Sequence, residues 1–173
     1  MEALGSGDER ASFAVFYAAE LAALVRFAMR HGATVHEAAD AAQAAFVQAY
    51  CRWDAIDRPR AWLRKVTYRE FLRGVRVREL SVEEPPETPG PLSPDAHVEL
   101  DEETRSVYDC LARLPYTQRR VMSYHYDGFS HPEIATELGM TGEAVRQNVS
   151  RARKNLAELL KEGLDQKQET DHA

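Results

Sequence analysis

The residues Ser130 to Leu156, SHPEIATELGMTGEAVRQNVSRARKNL, place a small residue, Ala135, four positions before Gly139 and an apolar one, Val145, six positions after it. That spacing is the helix-turn-helix pattern, because glycine tolerates the positive φ of the turn and alanine lets the second helix cross the first closely. With Val145, Val149, Ala152 and Leu156 turned inward, helical geometry turns Glu143, Gln147, Ser150, Arg151 and Lys154 outward, with Arg146 beside them. Such a face can read duplex DNA. Arg146 matches the acceptors of guanine, Gln147 matches adenine, Ser150 suits either, and Arg151, Arg153 and Lys154 suit phosphates. Any one of these residues could equally belong to a solvated charged face, so the motif as a whole carries the reading.

The chain holds 22 basic and 28 acidic residues, a formal net charge of -6, but the charges are unevenly placed. Arg52 to Arg78 contains nine basic residues (Arg52, Arg58, Arg60, Arg64, Lys65, Arg69, Arg73, Arg76, Arg78) against three acidic ones, Asp54, Asp57 and Glu70. From Glu79 to Glu103 every charged residue is acidic. Local charge decides contact with a polyanion, so the negative total does not exclude a nucleic-acid partner. Catalysis finds no support. No nucleophile elbow, phosphate-cradling glycine loop or metal-ligand spacing occurs, and His31, His36, His97, His125, His131 and His172 are scattered. Cys51 and Cys110, the only cysteines, suggest reduced and partly buried thiols rather than a disulfide framework or zinc site. No cofactor is implied. The Gly-, Ser- and acid-rich start lacks the apolar core of a signal peptide, and no run is expected to reach the length of a membrane span, so a cytoplasmic location without membrane insertion is expected.

These groups must be held by helices, since apolar residues recur at three- and four-residue spacing and no alternating strand is found. Phe13, Phe16, Tyr17, Leu21, Leu24 and Ala28 form one stripe. Thr34 with Glu37 makes a capping box opening a second helix, whose expected buried face is Ala39, Ala42, Phe46, Ala49 and Tyr50. A third helix starts at Pro59, carrying Trp62, Leu63, Val66, Phe71 and Leu72 among the arginines. Five prolines between Ser81 and Pro94 then stop helix formation and leave little to bury. The expected organisation is all-α, with two small helical domains, 1–80 and 101–173, joined by an acidic, Pro-rich flexible linker, 81–100. In the second domain a helix opens at Pro115 and stops near Gly128, Ser130 and Glu133 form another capping box, and a last helix runs from about Thr141 to Leu160, fraying from Leu164.

A helix-turn-helix alone is compatible with a repressor, an activator, a response regulator or a sigma factor. The first domain discriminates among them. HEAADAAQAAFVQAYCRWD followed by DRPRAWLRKVTYREFLRGVRVR resembles the second conserved region of extracytoplasmic-function sigma factors, and LPYTQRRVMSYHYDGFSHPEIATELGMTGEAVRQNVSRARKNL resembles their fourth region. The resemblance implies a promoter-specificity subunit of RNA polymerase that performs no covalent chemistry. It implies that Asp40, Gln43, Phe46 and Val47 lie on the helix docking on the clamp of the largest subunit, with Phe46 itself a core residue. It implies a further partner in the flap of the second subunit. The fourth region would read the minus-35 duplex through Glu143, Arg146, Gln147, Ser150, Arg151, Arg153 and Lys154.

By the same resemblance, the loop Arg52–Arg58 and the helix from Pro59 open the minus-10 element and hold its non-template strand. The residues involved would be Arg52, Trp53, Arg58, Arg60, Trp62, Arg64, Lys65, Tyr68, Arg69 and Arg73. The chemistry agrees, since base faces stack on rings while phosphates meet cations. Trp62 and Phe71 fit a core more readily than a base, and Arg60, Arg64, Lys65 and Arg73 are the better phosphate contacts. Two residues depart from the family pattern: Ala44 stands where an acid usually follows the glutamine, and Arg69 where asparagine is frequent. The acidic linker resembles a segment threading toward the polymerase cleft, and a solubilising spacer explains it as well. Members of this family are commonly held by an anti-sigma factor. The alternatives are a free-standing helix-turn-helix regulator and a sigma relative turned antagonist.

Overall fold

The structure, a computed structural model, describes residues 7–80 and 101–170, with side chains over 12–77 and 101–163. The acidic linker 81–100 lies outside the described residues. Seven helices make up the described residues, without a strand: α1 (Gly7–Arg30), α2 (Val35–Tyr50), α3 (Pro59–Leu80), α4 (Glu102–Arg113), α5 (Tyr116–Tyr126), α6 (His131–Leu138) and α7 (Gly142–Thr170). Contacts divide them into two compact units, the first holding α2, α3 and α1 up to Ala28, the second holding α4 to α7.

In the first unit, α2 begins where Thr34 Oγ1 accepts from the Glu37 backbone N–H and the Glu37 carboxylate accepts from the Thr34 N–H at 2.8 Å. Its inward face is nearly all alanine, with Ala38, Ala39, Ala41, Ala42, Ala45 and Ala49 buried around Phe46. Side chains this small allow helix axes to come close. α3 packs there through Ala61, Leu63, Val66 and Phe71, while α1 contributes Leu21, Leu24 and Val25 to the core. Each fully buried leucine contributes roughly 1.5–3 kcal/mol. At one end, Phe13 and Tyr17 of α1 meet Phe46 edge-on, at ring separations of 6.2 and 4.6 Å.

The tie between α1 and α3 is ionic. Glu20 accepts from Arg64 Nη1 at 2.6 Å and from Arg60 Nε at 3.1 Å, and the Arg64 side chain has no exposed surface. A buried guanidinium is tolerable only with such a partner.

In the second unit, α7 packs against α4, α5 and α6. Val145, Val149, Ala152 and Leu156 form its buried line, against Leu111 and Leu114, Val121 and Met122, and Ile134 from the preceding helices and turn. Asp101 caps α4, accepting from the Thr104 N–H at 2.7 Å. Glu133 accepts from both the backbone N–H and the hydroxyl of Ser130, at 2.8 and 2.6 Å, at the start of α6.

Several expectations are corrected. Tyr50, expected inside, is 50% exposed, because it sits one helical step beyond the packed stripe. Cys51 is exposed, whereas Cys110 is buried. α7 continues to Thr170, since the stretch contains no proline and Lys161, Glu162, Leu164, Gln166, Lys167, Gln168 and Glu169 favour helix and outweigh Gly163. One helical stretch, Ser12–Arg30, is long and apolar enough to cross a membrane by length and composition, with a mean hydropathy of 1.5. Leu21, Leu24 and Val25 within it are buried in the unit's own core, which accounts for its apolarity.

Glu20→Ala should cost about 3 kcal/mol in urea unfolding, because it strands a buried guanidinium, whereas the paired change Glu20→Leu with Arg64→Met should cost much less. Equal losses would show that the ion pair is not what holds α3 on α1.

Candidate nucleic-acid interface

The second unit places the expected reading residues on one side of α7. Arg146, Gln147, Ser150, Arg151, Arg153, Lys154 and Glu143 are all exposed, opposite the buried apolar line. The turn that sets this helix is made as the spacing implied: Gly139 has φ +64, and the Met140 N–H donates to the Ala135 carbonyl at 2.9 Å. Thr141 then caps α7, its Oγ1 accepting from the Ala144 N–H at 3.1 Å.

At the first turn of α7, Glu143 accepts from the Arg146 guanidinium and from Gln147 Nε2, the latter at 3.1 Å. The Arg146 hydrogen bond, then that of Gln147, then the Arg146 charge hold the Glu143 carboxyl below its ordinary value. The two candidate base readers are thereby steadied by one carboxylate. Arg153 stands apart on the flank, its Nη2 3.1 Å from His125 Nε2. Partial burial, followed by Arg153 and His131, lowers the His125 pKa, so a neutral imidazole is available to accept from Arg153.

In the first unit the expected cations separate into two sets. Lys65, Arg69 and Arg73 on α3 are exposed, as are Arg52 and Arg58 in the preceding turn. Trp62, Lys65, Arg69 and Arg76 recur at helical spacing on the outward side, and the Arg52 guanidinium lies 5.9 Å from the centre of the Trp62 ring, a cation–π distance. Tyr68 is half-buried. Arg64 is corrected: its side chain is wholly enclosed against Glu20, so it is a structural residue and not a surface for phosphate. Arg60 keeps about half its surface while sharing the same carboxylate. Trp53, in the short turn Trp53–Ala55, packs on Phe13 and Phe16 with ring centres 5.0 and 5.1 Å away, so it anchors the turn to α1.

The residues expected to dock on a protein partner lie on α2. Asp40 and Val47 are exposed and Gln43 half-exposed on a shared side, whereas Phe46 is 3% exposed, in the core as expected, and offers no surface to a partner. Beside Asp40, a groove of about 340 Å³ runs between α2 and α3, lined by Ala41 and Ala44 on one side and by Phe71, Gly74 and Val77 on the other.

Two residues escaped the reading of the sequence. Gln48 Nε2 donates to Glu70 Oε1 at 3.0 Å while Gln48 Oε1 accepts from Arg69 Nη2 at 2.8 Å, and Arg73 Nη2 forms an ion pair with Glu70 Oε2 at 2.5 Å. Glu70 is the one acid between Arg58 and Arg78, which was the available signal. Among the described residues no cluster of His, Cys, Asp and Glu could hold a metal ion.

Residues 16–80 match the family description Sigma-70 region 2, and residues 104–156 match Sigma-70, region 4. The RNA polymerase sigma-E factor of Streptomyces coelicolor is 32% identical over 145 residues, 80% of this chain and 80% of that protein. The chain belongs to the extracytoplasmic-function sigma factors. A probable RNA polymerase sigma factor, RfaY, of Xanthomonas campestris pv. campestris is 30% identical over 139 residues, 73% of this chain but 34% of that longer protein. Among solved structures, the sigma factor RpoE of Bartonella quintana, in complex with the anti-sigma factor NepR, aligns with a TM-score of 0.66 and 26% identity, covering 87% of this chain and 97% of that one. This sigma factor is therefore a subunit of RNA polymerase serving transcription initiation.

Gly139→Ala should destabilise the second unit by roughly 1–2 kcal/mol, since an L side chain is strained at that positive φ, and Gly139→Asn should cost less. Thermal or denaturant unfolding measures the difference, and an unchanged midpoint for alanine would mean that the turn does not require glycine.

Proposed function

We propose that this sigma factor directs promoter-specific initiation by gripping one promoter at two places. The domain 101–173 reads the minus-35 element as duplex through Glu143, Arg146, Gln147, Ser150, Arg151, Arg153 and Lys154. The domain 1–80 docks on the clamp of the polymerase through Asp40, Gln43 and Val47. It holds the melted minus-10 strand with Arg52, Arg58, Arg60, Lys65, Arg69 and Arg73, with Trp62 and Tyr68 as ring surfaces.

The observation that carries this reading is the two-sidedness of α7. Its apolar line is spent inside its own unit, so Arg146, Gln147, Arg151, Arg153 and Lys154 all face solvent, on a helix of the kind a major groove admits. Strand opening would draw on binding free energy for the single strand, which favours an open state over the closed one. No covalent step is required. The work is done in the cytoplasm, where polymerase and template meet, and an anti-sigma factor, of the kind held by the Bartonella quintana relative, is a second partner.

Run-off transcription with purified core polymerase and a promoter library tests the reading: specific initiation should appear only when this chain is added. Duplex binding and regulation independent of the polymerase would instead mark a free-standing regulator. In the same assay Arg146→Ala or Gln147→Ala should relax selectivity at individual minus-35 bases by roughly 1–3 kcal/mol. Lys154→Ala should weaken all sequences alike and reduce the salt slope by about one. Uniform loss for all three contradicts the assignment of base readers.

Asp40→Ala combined with Gln43→Ala should weaken holoenzyme assembly roughly tenfold, read by co-migration with core polymerase. Both side chains reach solvent, so unfolding should stay within about 0.5 kcal/mol of the parent. Intact assembly removes the clamp contact.

A further inference from the structure

Glu70 is the most unusual charge on the proposed strand-binding helix. It lies on the basic helix α3, yet its side chain keeps only 5% of its surface. Its two oxygens are divided among three neighbours: Oε1 accepts from Gln48 Nε2 at 3.0 Å and lies 3.7 Å from Arg69 Nε, while Oε2 meets Arg73 Nη2 at 2.5 Å. Gln48 completes the arrangement from α2, its Oε1 accepting from Arg69 Nη2 at 2.8 Å. One edge of the Arg69 guanidinium, made by Nε and Nη2, is therefore turned to a carboxylate and an amide that are themselves hydrogen-bonded to each other.

We infer that Gln48 and Glu70 are positioning residues that fix the plane of Arg69, and that the edge left over, made by Nη1 and Nη2, selects guanine in the melted strand. The inference rests on the proposed minus-10 reading and deepens it. Three physical points favour it. A guanidinium has five donors in a rigid fork, and with Nη2 bonded to Gln48 and Nε turned toward the Glu70 carboxylate, the end-on pair remains. That pair matches the O6 and N7 acceptors of guanine, which no other base carries side by side on its Hoogsteen edge, while cytosine offers its adjacent acceptors, O2 and N3, on the Watson–Crick edge instead. Half of the guanidinium's work is also already done by a partly shared carboxylate, which weakens Arg69 as a non-specific phosphate clamp and leaves geometry as its contribution. The Arg69 side chain is nonetheless 64% exposed, so a flipped or unstacked base can reach it.

The arrangement is laid down before DNA arrives. A free arginine on a helix surface samples many rotamers and loses that freedom on binding, whereas one hydrogen-bonded through Nη2 to Gln48 and ion-paired with Glu70 has lost much of it already. Gln48 is the informative partner because it lies on the other helix, 21 residues away, and makes no proposed contact with DNA.

The test uses holoenzyme assembled from this chain and core polymerase, with forked promoter DNA whose single-stranded non-template segment is randomised at each position. Bound and unbound pools are sequenced, and total binding is measured by anisotropy. The wild type should show a guanine preference of about tenfold at one position. Arg69→Ala should abolish it. Gln48→Met, which keeps the volume but removes both hydrogen bonds, should cut the preference to a few-fold or less while total binding to the pool and the unfolding midpoint stay near wild type.

A Gln48→Met preference equal to wild type, or a Gln48→Met loss spread evenly over all bases, overturns the positioning role. A guanine preference that survives Arg69→Ala overturns the assignment of the reader, as does wild-type binding with no guanine preference. Absence of any binding to the single-stranded segment by the wild type removes the minus-10 reading itself, and this inference with it.

Discussion

The first unit is governed by a conflict on α3. A helix with Arg60, Arg64, Lys65, Arg69, Arg73 and Arg76 places like charges three and four residues apart, and each such pair disfavours the helix by a few tenths of a kcal/mol. The same helix must bury a face, because Leu63, Val66 and Phe71 are needed for the core. Two carboxylates resolve this. Glu20 arrives from α1 and takes Arg60 and Arg64; Glu70, on α3 itself, takes Arg69 and Arg73. What remains outward is cationic enough to meet a polyanion without repelling the helix from its own neighbours.

The alanine-rich face of α2 follows from the same requirement. Close approach of α2 and α3 brings Gln48 within hydrogen-bonding distance of Glu70 and Arg69, contacts that bulkier side chains between the helices would prevent. The small residues thus do more than fill space: they decide which polar groups on the two helices can meet. Ala44 and Ala41 also leave the groove against Phe71 and Gly74 open, next to the exposed Asp40.

The second unit solves a simpler problem, since α7 has a clean division between an apolar line and a polar one. Its charged residues are steadied locally, Arg146 and Gln147 by Glu143 within one turn and Arg153 by His125 of α5. This helix has its first exposed side chains held by hydrogen bonds and is cationic along its flank, and its placement depends on a single residue, Gly139, taking a backbone conformation that other residues resist.

The amino-acid sequence by itself determined the helices, their starts at Thr34 and Ser130, the turn at Gly139 and the outward face of α7, because each of these follows from interactions within a few residues of chain. The family, too, was legible in those local patterns. Which arginines of α3 are buried was not, since Arg64 and Lys65 are adjacent and alike in charge, and one step along a helix turns a side chain through about 100°. Their fates part only because Glu20, 44 residues from Arg64, packs against one side of α3. Gln48, Glu70 and Arg69 likewise form a set only once two helices lie side by side. Charge count and spacing carry no record of contacts between distant segments, and those contacts decide which cations support the fold and which are left for DNA.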